Sequence, residues 1–221
     1  RAFYYAGVAT FICLLLGFPL AYAIAFKAGR WKNLMLFGVV APFFTTYLIR
    51  TISWKTILSD SSPVVSVLEF LQLAPDGRVL ATSGAVIAGL TYNFLPFMVL
   101  PLFASLERLD RRLLEAGKDL YASTFQTFIR ITLPLTMPGI IAGILLTFIP
   151  AAGDYVNATF LGGPDQAMIG NVIQSKYLVV NDYAEAAALS FTLMAIILVA
   201  LLACIKFAGT EALMGDEDEA K

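Results

Sequence analysis

Five apolar runs divide this chain and leave it few ways to fold. They are Phe3 to Phe26, Asn33 to Thr51, Val79 to Leu106, Pro138 to Ala152 and Ala184 to Phe207. A run of about 20 apolar residues can cross the hydrocarbon core of a bilayer as a helix, which satisfies every backbone amide internally. Hydrophobic residues make up 59% of the 221 residues and charged residues 14%, with a mean hydropathy of +0.79. A water-soluble domain has too little interior to hide that much apolar surface. The predicted fold class is therefore an all-α integral membrane protein, a single transmembrane domain over residues 1–221.

The first run is too long and too rich in tyrosine for a signal peptide, and Pro19 after Gly17 predicts a kink in it. Pro42 lies inside the second run, and Pro96 and Pro101 inside the third. The fourth run has only fifteen residues, about 22 Å at about 1.5 Å per residue. The residues just beyond it are expected to stay at membrane depth. Between the runs, Val64, Val65, Leu68, Leu71 and Leu73 predict a short amphipathic helix at the membrane surface. The stretch from Gly153 to Tyr183 reads as irregular, turning at Gly162-Gly163-Pro164. An acidic tail, 208–221, ends the chain.

Several function classes drop out. There are no histidines, and both cysteines, Cys13 and Cys204, sit inside apolar runs, which argues against a metal site or a disulfide framework. A net charge of −1 without a basic, aromatic-interleaved patch does not suit a nucleic-acid partner. Gly117-Lys118 is no P-loop, because Arg112 occupies the first-glycine position and Asp119 follows the lysine. With no paired carboxylates or nucleophile–base pair either, the chain is expected not to be an enzyme.

The charged segment between the third and fourth runs, about 107–137, reads as two short amphipathic helices. Leu109, Leu113, Gly117 and Leu120 share one stripe, and Phe125, Phe128, Ile129 and Leu133 another. Ser123 with Gln126 three residues on fits a capping box, and Pro134 and Pro138 mark where this helix ends and the next begins. Spacing alone equally fits a loop lying on the lipid surface.

Glu115-Ala116, followed by Ile131-x-Leu133-Pro134 sixteen residues after the glutamate, resembles the EAA loop of the membrane subunits of binding-protein-dependent ABC importers. Gly117 replaces the usual third-position alanine, and Tyr121 stands where the family has glycine. Glycine there provides a left-handed turn that tyrosine adopts only at a cost. With LGGPDQAMIGNVI and the residues around the loop, the resemblance extends to permeases of the spermidine/putrescine type and covers Phe3 to Phe207.

This resemblance implies a type I ABC importer permease fold in a bacterial inner membrane. Five spans would be visible of six, with a first helix preceding Arg1. It also implies a second related permease, two cytoplasmic ATPase subunits that bind ATP and Mg, an extracytoplasmic solute-binding protein, and no cofactor in this chain. Glu115, Ala116, Gly117, Lys118 and Asp119 would contact the ATPase. The lysines and arginines agree with a cytoplasmic loop. Ten, including Lys27, Arg30, Lys32, Arg111 and Arg112, fall on the loop side, and five, Arg1, Arg50, Lys55, Arg78 and Lys176, fall on the other.

Asp154 is the sharpest candidate for a solute path, because a carboxylate near the bilayer is costly unless it faces a cavity or a partner charge. Tyr155 and Asn157 share its segment, and Tyr92 and Asn93 lie within the third run. For those four a structural hydrogen bond between helices is the competing role, and for Asp154 a place at headgroup level. The prolines fit a transporter whose broken helices line a path. Gly139-x-x-x-Gly143 suits close helix approach, either within the subunit or across a subunit interface. An importer for another solute, or an ion-coupled carrier or channel, would share most of these features. Dependence on a partner's ATP hydrolysis separates the classes.

Overall fold

The computed structural model describes residues 1–70, 78–119 and 121–208, and every regular element among them is helical. The chain begins with α1, Ala2–Tyr22. Pro19 has no amide proton to give the ladder, and the helix then widens into a π-helical turn at Ala23–Lys27. One face of α1 carries Ala2, Ala6, Ala9, Cys13, Gly17 and Ala21, all buried, while Phe11, Leu15 and Leu16 point outward. Small side chains at this spacing let a second helix approach closely. A Cβ on Gly17 would lie 3.2 Å from Met98 and 3.3 Å from Val99.

Those two residues belong to the long central helix. After α2, Lys32–Val40, α3, Tyr47–Ile57, and α4, Pro63–Phe70, comes α5, Ser83–Arg108. Thr82 caps α5, its hydroxyl oxygen accepting the amide of Ala85 at 3.2 Å. The most extensive contacts in the fold link α1 and α5, α5 and α9 (Met137–Gly153), and α1 and α9. Two apolar clusters fill this three-helix centre, one around Ala6, Leu90, Phe94 and Ala152, the other around Cys13, Met98, Leu102 and Ile140.

Among the described residues three helices are long and apolar enough to span a membrane, Ala2–Lys27, Ser83–Arg108 and Tyr183–Ala203, and two bent pairs make five if each pair is one span. One pair corrects the expected second run. It is not one helix over 33–51 but is broken by 95° between Phe44 and Tyr47. Pro42 begins a short 3-10 turn at Ala41–Phe44, and Thr45 and Thr46 are extended, with ψ of 138° and 136°. The other pair bends by 65° at Thr136, where Pro138 opens α9 as expected.

Residues 153–183 are also more regular than their composition suggests. They hold α10, Val156–Leu161, a 3-10 turn at Pro164–Gln166, α11, Ile169–Ser175, and a π-helical turn at Lys176–Val180. The break at Gly162-Gly163-Pro164 lies where the turn residues placed it. Lys176 pairs with Glu185 at 2.5 Å and ties this region to α12, Tyr183–Ala208. Most of α12 presents apolar side chains outward, among them Phe191, Val199 and Leu202, the surface a bilayer covers.

A helix does form at Val64 and Val65, as α4, whereas Leu71 and Leu73 fall outside the described residues, as do Leu120 and positions 209–221 of the acidic tail. Arg50, counted from sequence with the outer basic residues, is instead buried within α3.

The loop after α5 begins at Leu109 rather than Glu107, since α5 continues to Arg108. It holds α6, Arg111–Asp119, and α7, Thr124–Thr127, which continues through a π-helical turn at Phe128–Thr132 into α8, Leu133–Leu135. Asp110 starts α6, its carboxylate accepting the amide of Arg112 at 2.9 Å. The Ser123–Gln126 capping box forms with both bonds, at 3.2 and 2.9 Å.

Tyr121 adopts φ +55° and is 98% exposed. The left-handed turn is thus made by tyrosine, and the Ala122 amide reaches back to the Gly117 carbonyl at 3.0 Å. Because the ring packs on nothing, Tyr121→Gly should relieve about 1–2 kcal/mol of backbone cost, partly offset by about 0.5–1 kcal/mol of chain entropy. Amide exchange across 117–126 should slow in this variant. Faster exchange would mean that the tyrosine side chain itself stabilises the hairpin.

Candidate functional site

Packing α3, α5 and the start of α10 together creates a buried polar network. Tyr47, Arg50 and Thr51 lie on one face of α3 by their spacing of three and four. Asn93 comes from the middle of α5, and Asp154 and Asn157 from the junction of α9 and α10. The Tyr47 hydroxyl donates to Oδ2 of Asp154 and accepts from Nδ2 of Asn157 at 2.7 Å. Asp154 Oδ1 accepts the Asn157 amide at 2.8 Å and so starts α10. Nδ2 of Asn93 donates to Oδ1 of Asn157 at 3.2 Å and to the Thr51 hydroxyl at 3.3 Å.

Burial sets the strength of this network. Asp154 is 8% exposed, Asn93 1% and Asn157 0%. A carboxylate removed from water to that degree requires hydrogen bonds or a nearby cation. The hydrogen bonds from Tyr47 and Asn157 meet that requirement, and over the same Tyr47 ring the Arg50 guanidinium lies 5.6 Å from the ring centre and 5.0 Å from that of Phe43. Two groups are left over. Among the described residues, Nε and Nη1 of Arg50 find no acceptor, and Oδ1 of Asn93 finds no donor.

The second candidate region is the loop hairpin. Gly117 is buried in the seam between α6 and the following segment, where a Cβ would lie 3.1 Å from Ile131 and 3.2 Å from the Thr127 hydroxyl. Glu115, Ala116 and Asp119 face outward. Between the hairpin and the end of α1 lies a cleft of about 710 Å³, lined by Phe18, Tyr22, Lys27, Leu114, Phe125 and Phe128 among others.

A helical core of this kind, closed by a short capped hairpin, has known counterparts. Residues 8–210 match the family of binding-protein-dependent transport system inner membrane components. The chain belongs to this family.

Relatives and a solved structure agree with that membership. The spermidine/putrescine transport system permease protein PotB of Haemophilus influenzae is 44% identical over 209 residues, covering 94% of this chain and 72% of the relative. PotB of Escherichia coli is 46% identical over 189 residues, covering 85% and 69% respectively. The fold is shared with a chain in the crystal structure of a bacterial ABC transporter involved in the import of the acidic polysaccharide alginate. There the TM-score is 0.68 at 21% identity, covering 94% of this chain and 78% of that one. The chain is thus a multi-pass inner-membrane permease with the type I ABC permease fold, and its family is a transport family rather than an enzyme family.

Of the expected path residues of this permease, three meet and two do not. Asp154, Asn157 and Asn93 share one network. Tyr92 leaves α5 on another face and packs on Trp54, ring centres 5.3 Å apart. Tyr155, the next residue, is not the aromatic neighbour of Asp154, because the chain is extended at Asp154, with ψ 134°, and the Tyr155 side chain is 41% exposed and outside the network. That neighbour is Tyr47, 107 positions away in sequence. The sequence reading missed Tyr47, Arg50 and Thr51. An arginine three residues after a tyrosine at the end of an apolar run was the available signal.

In the loop, the expected apolar stripes are also redrawn. Leu109 and Gly117 are buried, but Leu113 is 45%, Phe125 70% and Ile129 44% exposed. The π-helical turn shifts the facing residues to Thr127 and Ile131, the two that meet Gly117.

Proposed function

We propose that this chain is a transmembrane subunit of an ABC importer that moves a small cationic solute inward, a polyamine of the spermidine/putrescine class. Transport proceeds by alternating access. The chain works with a second related permease, two cytoplasmic ATPase subunits that bind ATP and Mg, and an extracytoplasmic solute-binding protein. The observation that carries the reading is the buried Asp154 carboxylate, joined to an aromatic side chain on α3, in a chain 44–46% identical to polyamine permeases over most of its length. A carboxylate gives an ammonium charge-assisted hydrogen bonds, and aromatic faces add cation–π attraction.

The hairpin is the coupling element in this reading. Glu115, Ala116 and Asp119 form the outward surface that meets the ATPase, and Lys118 belongs to the same helix. Gly117 keeps the hairpin closed from within. The loop lies in the cytoplasm, which the lysine and arginine distribution supports, more so with Arg50 buried and no longer counted outside.

The test is reconstitution of the four components in liposomes. Radiolabelled spermidine should accumulate only with ATP and binding protein, and stop when hydrolysis is blocked. ATP-independent accumulation would favour a carrier or channel, and failure with spermidine and putrescine alongside uptake of another solute would change the substrate. In the same system Ala116→Glu should insert and assemble yet lose binding-protein stimulation of ATP hydrolysis by at least about tenfold, a cost of 1.4 kcal/mol for a charge placed in a packed contact. Normal stimulation in this variant would remove α6 from the ATPase contact.

A further inference from the structure

We propose that Arg50 is a built-in stand-in for the solute cation, occupying in the empty permease the aromatic site that the arriving ammonium takes over. The inference rests on the polyamine reading above and assigns a displaceable resident to that site. A buried arginine ordinarily saturates its five N–H groups, preferably on a carboxylate that binds two at once. Arg50 is 7% exposed, yet its Nε and Nη1 have no acceptor among the described residues. What holds the guanidinium is the pair of ring faces, 5.0 Å from Phe43 and 5.6 Å from Tyr47.

Such a hold favours any cation and fixes none by direction. It is also coupled to the carboxylate, because the ring beneath Arg50 carries the hydroxyl that donates to Asp154. Exchange of one cation for another keeps the Tyr47 ring, whose hydroxyl is bonded to Asp154, from losing the cation on its face. The unpartnered groups point the same way. The site has surplus donors on Arg50 and a surplus buried acceptor, Oδ1 of Asn93. A primary ammonium brings three donors on one compact centre, suited to an isolated acceptor that the planar guanidinium leaves unused.

The experiment uses the assembled complex of permease pair and ATPases in nanodiscs, without binding protein, and measures equilibrium binding of radiolabelled spermidine. Removing the resident cation in Arg50→Gln or Arg50→Met should tighten binding by about tenfold, the scale of one desolvated cation–π contact. Arg50→Lys, which keeps a cation, should stay within about twofold of the native protein. Unchanged or weaker binding in assembled Gln and Met variants would overturn the proposal. So would assembly that survives only with arginine or lysine, since that would show Arg50 held by a carboxylate of the partner permease. The uptake assay on the unmodified importer separates the two levels. If it moves no polyamine, the substrate reading itself fails. If it does, the variants judge Arg50 alone.

Discussion

Asp154→Asn is expected to lower polyamine uptake by at least about tenfold while the transporter still assembles, the loss of one charge-assisted contact at about 1.5–3 kcal/mol. The carboxylate has two tasks at once. Oδ1 receives the Asn157 amide and starts α10, and Oδ2 receives the Tyr47 hydroxyl. Asparagine can keep the first bond through its carbonyl. Its amide group then meets a tyrosine oxygen that already accepts from Asn157, so that hydroxyl loses its acceptor, and the negative charge is gone. Asp154→Glu keeps the charge but must fit one more methylene where only 8% of the residue is exposed. It should therefore retain more uptake than Asn and less than the native residue. Uptake and assembly measured together decide the matter. Native uptake by Asp154→Asn would leave the carboxylate as a helix cap with no part in transport.

The largest structural effect is expected at Gly139. A Cβ there would lie 2.4 Å from the Ser105 hydroxyl oxygen and 2.7 Å from the Pro101 carbonyl oxygen, which is backbone and cannot turn aside. At Gly143 the nearest atom is the Met98 sulfur at 2.7 Å, the end of a flexible side chain. Both glycines thus face α5 of the same chain, and the close-approach motif serves packing within the subunit. Gly139→Ala should cost about 1–3 kcal/mol of overpacking, and Gly139→Ile should leave little folded protein in the membrane. Gly143→Ala should be milder, because methionine repacks. Thermal unfolding of the purified permease gives the order directly. A larger loss at position 143 than at 139 would contradict this account of the α5–α9 seam.

Local chemistry explains what could be read before any fold was known. Runs of apolar side chains demand a lipid-facing helix, and so α1, α5 and α12 lie close to their expected places. Ser123 and Gln126 close their box within three residues. Tyr121 was legible as a strained turn because the left-handed conformation depends on one residue's own sterics. The resemblance to importer permeases could be read for a similar reason, since its motif is a contiguous hairpin.

The remainder depended on contacts between residues remote in sequence. The 95° break after Pro42 turns α3 across the bundle, whereas proline within α5 leaves that helix continuous at Pro96 and Pro101. Proline limits its own backbone, but neighbouring helices decide whether the chain bends there. The helices at 156–180 carry too little hydrophobic signal to be read alone. They pack against the core, with Ala158 and Met168 buried in it.

Apolar patterning, caps and one turn therefore determined the helical membrane fold and the capped hairpin, because each acts within a few residues. Only the tertiary structure chose Tyr47, Thr51 and Asn93 as the company of Asp154 and Asn157. Those pairings join positions 42 to 110 apart, and helix packing, with no local pattern to announce it, set them.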